Sequence, residues 1–280
     1  MQRRVLKFLI KLLNKIAYNV VTAKNHLNRY LYYMDFQMRD DDIYIVTYMK
    51  SGTTWMQVIV YNLLTEGNMD FNHIYDVSPW PSNQAAKGET AGNINAIPSP
   101  RILKFHDHYK DFDPSLKNKI IYVFRDGKDV AVSYFHHNKN YVNAELTFDE
   151  NFEKYFNNPK NKMNYFSFNK DWFDNKYNLN ILYISYESLK TDFDNTLKRI
   201  ADFLNVKLTD DIVKRTKIHS SFQYMKEHEE KFGEVPPSSK LVYNQFIRKG
   251  EIGGWRNYFS EKQLKEYQEN YDKLLGGFLE

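Results

Sequence analysis

The stretch Ile43-Tyr44-Ile45-Val46-Thr47-Tyr48-Met49-Lys50-Ser51-Gly52-Thr53-Thr54-Trp55 decides the fold class. Its first half is an apolar, β-branched run without polar alternation, the pattern of a strand buried on both faces of a parallel sheet. Beyond the turn, Met56, Ile59, Val60, Leu63 and Leu64 recur at helical spacing, so the segment reads as strand, glycine-containing turn and helix. Such a turn aims several backbone N–H groups at one spot, where the helix dipole adds partial positive charge. Gly52 permits close backbone approach, Ser51, Thr53 and Thr54 add hydroxyls, and Lys50 adds a full charge. The residue order is not that of a G-x-x-x-x-G-K-[ST] nucleoside-triphosphate loop, because the leading glycine is missing and the lysine precedes Gly52. That order argues against a Mg-dependent kinase or ATPase.

Working outward, Ile102–Phe105 and residues 120–124 and 179–186 read as further short strands, with helices from about Lys128 and across 189–204. Repeated βα units predict an α/β fold: a single domain with a central, mostly parallel sheet flanked by helices and ligands at the strands' carboxyl ends. Polar stretches at 68–100, 138–162 and 226–250 read as long loops, the kind that serve as lids or binding loops. No stretch reads as an interdomain linker and no internal repeat is visible.

The 280 residues, 42% hydrophobic, suffice to bury one large core. Cysteine is absent, which excludes disulfide scaffolds, Cys-ligated metal sites and thiol nucleophiles. The balance of 39 Lys+Arg to 35 Asp+Glu is mixed along the chain and gives no strongly basic face, so nucleic acid is not an expected partner. Aromatic residues reach 16%, which fits either an aromatic-rich core or an aromatic-lined site for a flat ligand. Residues 1–34 place Val5, Phe8, Leu9, Leu12, Leu13, Ile16, Val20 and Val21 at helical spacing with Arg3, Arg4, Lys7, Lys11 and Lys15 interleaved. This amphipathic basic helix is too short in apolar run to span a bilayer; it either packs on the body or lies on an anionic membrane surface.

Two more segments combine cations with glycine. Arg125-Asp126-Gly127-Lys128 through Ser133 follows a strand, and Arg248-Lys249-Gly250-Glu251-Ile252-Gly253-Gly254-Trp255 offers bidentate and point-charge phosphate ligands. Alone, Arg125 would read as a surface partner of Asp126 or Asp129. Three anion sites around one sheet point to a polyanionic ligand.

In this order, TYMKSGTTW, YVFRDGKDVAVSYFHH and RKGEIGGW resemble the motifs of the cytosolic-type sulfotransferases that use 3′-phosphoadenosine-5′-phosphosulfate (PAPS), and the resemblance extends over about 36–259. It implies a P-loop-like nucleotide-binding architecture, a sulfotransferase domain over 35–280 and adenosine 3′,5′-bisphosphate (PAP) as product. It also implies that Lys50, Ser51, Gly52, Thr53 and Thr54 bind the 5′-phosphosulfate. Arg125, Ser133, Arg248, Lys249 and Gly250 would bind the 3′-phosphate, and Trp55, Tyr186, Phe222 and nearby Ser220 would enclose the adenine. His106, in RILKFH, matches the family's catalytic histidine and would act as general base, with Lys50, Lys104 and Ser133 completing the catalytic set. No metal is required on this reading, so activity is expected in chelator; the pair His106-x-His108 lacks an evident third ligand. His136 and His137 are candidates for the rim of the acceptor pocket.

Met49 and Phe105 depart from the family motifs, and 256–265 departs from the family's dimer motif, which leaves the oligomeric state open. Phe71, Tyr75, Trp80, Phe105, Tyr109, Phe135, Tyr141 and 243–246 are candidates for an apolar pocket that takes a small hydroxyl acceptor, a phenol, a sterol-like alcohol or a lipid-like compound, with an amine the lesser alternative. A cytoplasmic protein, with or without peripheral membrane association, is expected. The alternatives are a metal-dependent phosphotransferase and a non-catalytic nucleotide-binding or membrane-associated scaffold.

Overall fold

The computed structural model describes residues 2–233 and 246–278, with residues 2–14 and 18 described by backbone alone. Four strands, β1 (Ile43–Thr47), β2 (Ile102–Phe105), β3 (Lys119–Phe124) and β4 (Ile181–Ser185), form one sheet in the order β2-β1-β3-β4. Every pairing is parallel, with Ile43 opposite Ile102, Tyr44 opposite Ile120 and Ile121 opposite Leu182. Sequence order reverses direction between β1 and β3, so the turns leaving those two strands splay apart and open a crevice at the carboxyl edge.

Period-2 alternation sends Ile43 and Ile45 to one face of β1 and Tyr44 and Val46 to the other. On the first face they meet Met56, Ile59, Val60 and Leu63 of α2 (Thr53–Leu64) and Leu197, Ile200 and Ala201 of the helix Phe193–Leu204. On the second, Tyr44, Leu103 and Tyr122 meet Phe166, Phe168 and Trp172 of the helix Tyr165–Asp174. Burying each such side chain contributes about 1.5–3 kcal/mol, so the aliphatic strands and their helices hold the sheet without polar help. Trp172 stacks on Tyr122 at 5.2 Å between centroids, and much of the aromatic content lies in this second layer. At the amino edge, Arg101 pairs with Asp42 at 2.6 Å with both side chains fully buried, tying the start of β2 to the start of β1.

The long N-terminal helix α1 runs Gln2–Asp35, and among its described side chains burial begins at Thr22. Three expectations are corrected. The helix expected across 189–204 is two helices, Tyr186–Thr191 and Phe193–Leu204, broken at Asp192 with φ −144°. β4 ends at Ser185, whose Oγ accepts from Ser188 N at 3.0 Å and starts the first of them, so Tyr186 sits on a helix rather than on the strand. The supposed loop 68–100 contains α3 (Ile74–Val77), α4 (Pro81–Lys87) and the helix Gly92–Ala96; 138–162 contains Phe148–Phe152, and 226–250 opens with the end of one helix and the turn Glu229–Phe232. These helices are too short to show periodicity, and their local signal is the cap, as with Thr147 and Glu150.

Candidate active site

The turn after β1 is built from two residues in left-handed conformation, Lys50 (φ 65°) and Gly52 (φ 105°). Glycine is required at 52 twice over, because a Cβ there would lie 2.9 Å from Tyr186 Cδ2. The tight reversal brings the first N–H groups of α2, which have no partner within the helix, to the carboxyl edge of the sheet. Thr47 Oγ1 and Thr53 Oγ1, 2.6 Å apart, tie the strand end to the helix start. Ser51 Oγ is buried without a hydrogen-bond partner among the described residues.

Arg125 leaves the end of β3. Its carbonyl accepts from Tyr165 Oη at 2.7 Å, its guanidinium lies 4.1 Å over the Tyr186 ring, and one terminal nitrogen donates to Glu251 O at 2.7 Å. The expected pairing with Asp129 exists but is long, 3.9 Å, since Asp129 accepts more closely from Gly253 N at 2.7 Å. The Arg125 Nε is buried and has no partner among the described residues. Gly250, at φ 62°, lets the last cationic segment pass 2.8 Å from Phe222 Cδ2, measured from where a Cβ would stand. Trp55 and Tyr186 meet edge to face at 5.3 Å, forming an aromatic corner beside these cations.

His106 follows the last residue of β2. Its Nδ1 is 2.9 Å from Thr47 O, and a carbonyl only accepts, so Nδ1 carries the proton. In the neutral ring the basic nitrogen is then Nε2. Trp80 packs against the ring at 4.9 Å, edge to face, and fixes its plane. Lys104, buried on the same strand, donates to Tyr75 Oη at 2.8 Å and lies 4.4 Å from the Trp80 ring centroid. Lys50 Nζ stands 4.2 Å over the Phe246 ring.

The cations, His106 and the aromatic corner open onto one cavity of about 350 Å³, whose lining includes Lys50, Gly52, Thr53, Thr54, Trp55, Lys104, His106, Arg125, Ser133, Tyr186, Ser220, Phe222, Arg248, Lys249 and Gly250. Ser51 lies beneath the wall rather than on it. His137 lines the cavity and His136 does not: its Nε2 is 2.8 Å from Tyr258 Oη, and burial, then Arg248, pulls its pKa down to about 4. His108 turns away to pack on Phe168, its pKa lowered by burial. Of the acceptor-pocket candidates, Trp80 and Phe246 line this cavity, whereas Phe71, Phe105, Tyr109, Phe135 and Tyr141 are buried and do not line it, and Tyr75, half-buried, does not line it either; 243–245 lie outside the described residues. Among the described residues no group of three or more His, Asp or Glu is placed to hold a metal ion. The donor set is made of ammonium, guanidinium, hydroxyl and N–H groups, which is chemistry for an anion.

The family model for the sulfotransferase domain matches residues 40–279. The chain belongs to the sulfotransferase family. This sulfotransferase is 33% identical over 255 residues to sulfotransferase 1B1 of Mus musculus, covering 87% of the chain and 85% of the relative. It is 30% identical to sulfotransferase 1C2 of Rattus norvegicus over 258 residues, 86% of each. Among solved structures, mouse sulfotransferase SULT7A1 complexed with PAP superposes with a TM-score of 0.67 at 28% identity, covering 88% of this chain and 89% of that one. Retinol dehydratase in complex with androsterone and the inactive cofactor PAP gives 0.70 at 25%, covering 90% and 85%. The sulfotransferase is thus a PAPS-dependent enzyme that transfers a sulfuryl group to a hydroxyl or amine acceptor. Sequence reasoning missed Thr47, Asn83, Lys190, Met225 and Ile247. Thr47 had a readable signal, a hydroxyl at the carboxyl end of the strand before the anion turn; the others come from segments whose position no spacing reveals.

Proposed function

We propose that the cavity holds PAPS and an apolar hydroxyl acceptor, and that His106 Nε2 takes the acceptor's proton. Lys50, Ser51, Gly52, Thr53 and Thr54 hold the 5′-phosphosulfate; Arg125, Ser133, Arg248, Lys249 and Gly250 hold the 3′-phosphate; Trp55, Tyr186, Phe222 and Ser220 enclose the adenine. Arg125 Nε, Ser51 Oγ and Trp55 Nε1 support this fit, because each is a buried polar atom whose hydrogen-bonding capacity goes unused within the described residues. When bound, the cosubstrate supplies an activated sulfuryl group.

The chain's own part is positioning and charge. The Thr47 carbonyl keeps the proton on Nδ1 of His106, so that Nε2 accepts the hydroxyl proton as the acceptor oxygen becomes a nucleophile. Lys50 and Lys104 bring positive charge to the wall where negative charge develops, and Trp80 and Phe246 keep water from that side. A sulfuryl group carries less negative charge than a phosphoryl group, so these side chains meet the demand that Mg²⁺ meets in kinases.

The observation that carries the reading is the opening of His106, Lys50, Lys104 and Arg125 onto one cavity. Met49, Trp80, Met225, Phe246 and Ile247 give the cavity apolar lining beside its charged groups, which suits a phenol, a sterol-like alcohol or a lipid-like alcohol as acceptor. A screen of such acceptors with labelled PAPS tests it: transfer to an apolar alcohol or phenol is expected, and transfer only to charged amines overturns the acceptor class. Among the described residues no helix is long and apolar enough to cross a membrane, so membrane contact in this reading is peripheral.

A further inference from the structure

The helix α1 is docked the opposite way round from an ordinary surface helix. Among its described side chains the half-buried ones are polar, Thr22, Asn25 and Asn28, followed by the buried Tyr32, on the side of the helix that contacts α4. Tyr32 Oη donates to Gln84 Oε1 at 2.8 Å, and Asn28 Nδ2 approaches within 2.9 Å of where a Cβ of Gly88 would stand. Beyond the helix, Asn95 closes the junction by donating to Asp35 O at 2.8 Å and accepting from Gln37 N at 3.0 Å.

The apolar stripe consequently points outward. Ile16, Val20, Leu27, Tyr30, Leu31 and Met34 are 51–66% exposed although they recur at spacings of three, four and seven that keep them on one helix face. In the sequence the same spacing extends back through Leu13 and Leu9. A stripe of this length on a water-facing helix calls for a cover.

Charge selects the cover. Residues 2–35 carry seven Lys and Arg against one acid, a net +6, while the whole chain carries +4, so the remaining residues are net negative. A second copy of the helix would set two such cationic elements side by side, with no acidic residue before Asp35 to answer them. An anionic lipid surface supplies the opposite charge and an apolar boundary at the same place. We propose that α1 is a peripheral membrane-docking element: its outward stripe enters the headgroup–acyl boundary of an anionic bilayer while its polar face stays on α4 and holds the catalytic body at the surface. This deepens the peripheral-contact reading above and rests on it, but it does not depend on the assignment of the catalytic residues.

The test is sedimentation of the full-length chain with phosphatidylcholine vesicles, with and without phosphatidylserine, beside the triple variant Val20→Asp, Leu27→Asp, Leu31→Asp. These side chains are exposed, so the fold survives, which an unchanged rate of transfer to a water-soluble phenol confirms independently of lipid binding. Expected is binding to phosphatidylserine vesicles that weakens at least about tenfold both on neutral vesicles and in the variant. Equal binding by variant and parent, equal binding to both vesicle types, or no binding at all overturns the proposal. So does light scattering that finds a dimer in the parent and a monomer in the variant, because the stripe is then a seam between copies. Loss of transfer with lipid binding intact speaks against the catalytic reading alone.

Discussion

His106 Nδ1 lies 2.9 Å from the carbonyl oxygen of Thr47, and the Thr47 hydroxyl lies 3.2 Å from the same nitrogen and 2.6 Å from Thr53 Oγ1. One residue at the end of β1 therefore touches both the ring at the end of β2 and the first helical residue of the anion turn. The main-chain carbonyl survives substitution, and the hydroxyl does not. Thr47→Val should cost about 0.5–1.5 kcal/mol of stability through the lost bond to Thr53. It should also slow transfer by less than about tenfold, since the carbonyl still fixes the tautomer. Urea unfolding and steady-state assays read the two effects separately.

Arg125 should matter to cosubstrate binding far more than to the acceptor. Its guanidinium is buried over Tyr186 and beside Asp129, so Arg125→Ala removes a buried cation while Asp129 keeps its hydrogen bond from Gly253 N. The expected loss is about 2–5 kcal/mol in PAP affinity. Calorimetry with PAP measures it, and a variant that binds PAP as tightly as the parent contradicts the 3′-phosphate assignment.

Gly52→Ala should damage both fold and site. The position has φ 105° and a Cβ there would press on the Tyr186 ring at 2.9 Å. A cost of about 1–3 kcal/mol is expected from the backbone alone, seen as a lower melting temperature together with weaker PAP binding.

The path from sequence to structure was clearest where periodicity runs long enough to register. The β1 run and the four-residue β2 were legible because buried parallel strands are continuously apolar, and the reversal between β1 and α2 was legible because a glycine set between a strand and a helix marks a tight turn. The break at Asp192 was not, since Leu189, Leu197 and Ile200 keep an apolar rhythm across two helices. Tyr186 was expected at the site on a strand and stands there on a helix, because Ser185 caps rather than continues. The aromatic acceptor candidates divided for a tertiary reason: Phe71, Phe105 and Tyr109 look no different in sequence from Trp80, and only the packing of α3, α4 and the Tyr165–Asp174 helix decides which face the cavity.

His136 should weaken the fold on the acid side. Its pKa falls from the ordinary 6.5 to about 4, by burial first and then by the charge of Arg248. The unfolded chain therefore binds this proton below pH 6.5 and the folded chain does not until about pH 4. Stability from this group is intact above 6.5 and declines as pH falls toward 4. His136→Gln should flatten the decline in that window, read as urea midpoints across pH; an unchanged slope contradicts the assignment.

Chelation tests the charge argument. If Lys50 and Lys104 answer the developing charge, transfer in excess EDTA should match transfer without it, whereas a loss restored by Mg²⁺ contradicts the role proposed for the two lysines.

The central claim is that His106 takes the acceptor proton inside a cavity that holds the cosubstrate by other residues. Its most direct test is the rate of labelled-sulfuryl transfer by His106→Ala, measured beside PAP affinity in the same preparation. The rate should fall by about 10²–10⁴ while PAP binding stays within about threefold of the parent, since His106 is not among the residues proposed to hold PAP. Full transfer activity in His106→Ala contradicts the account.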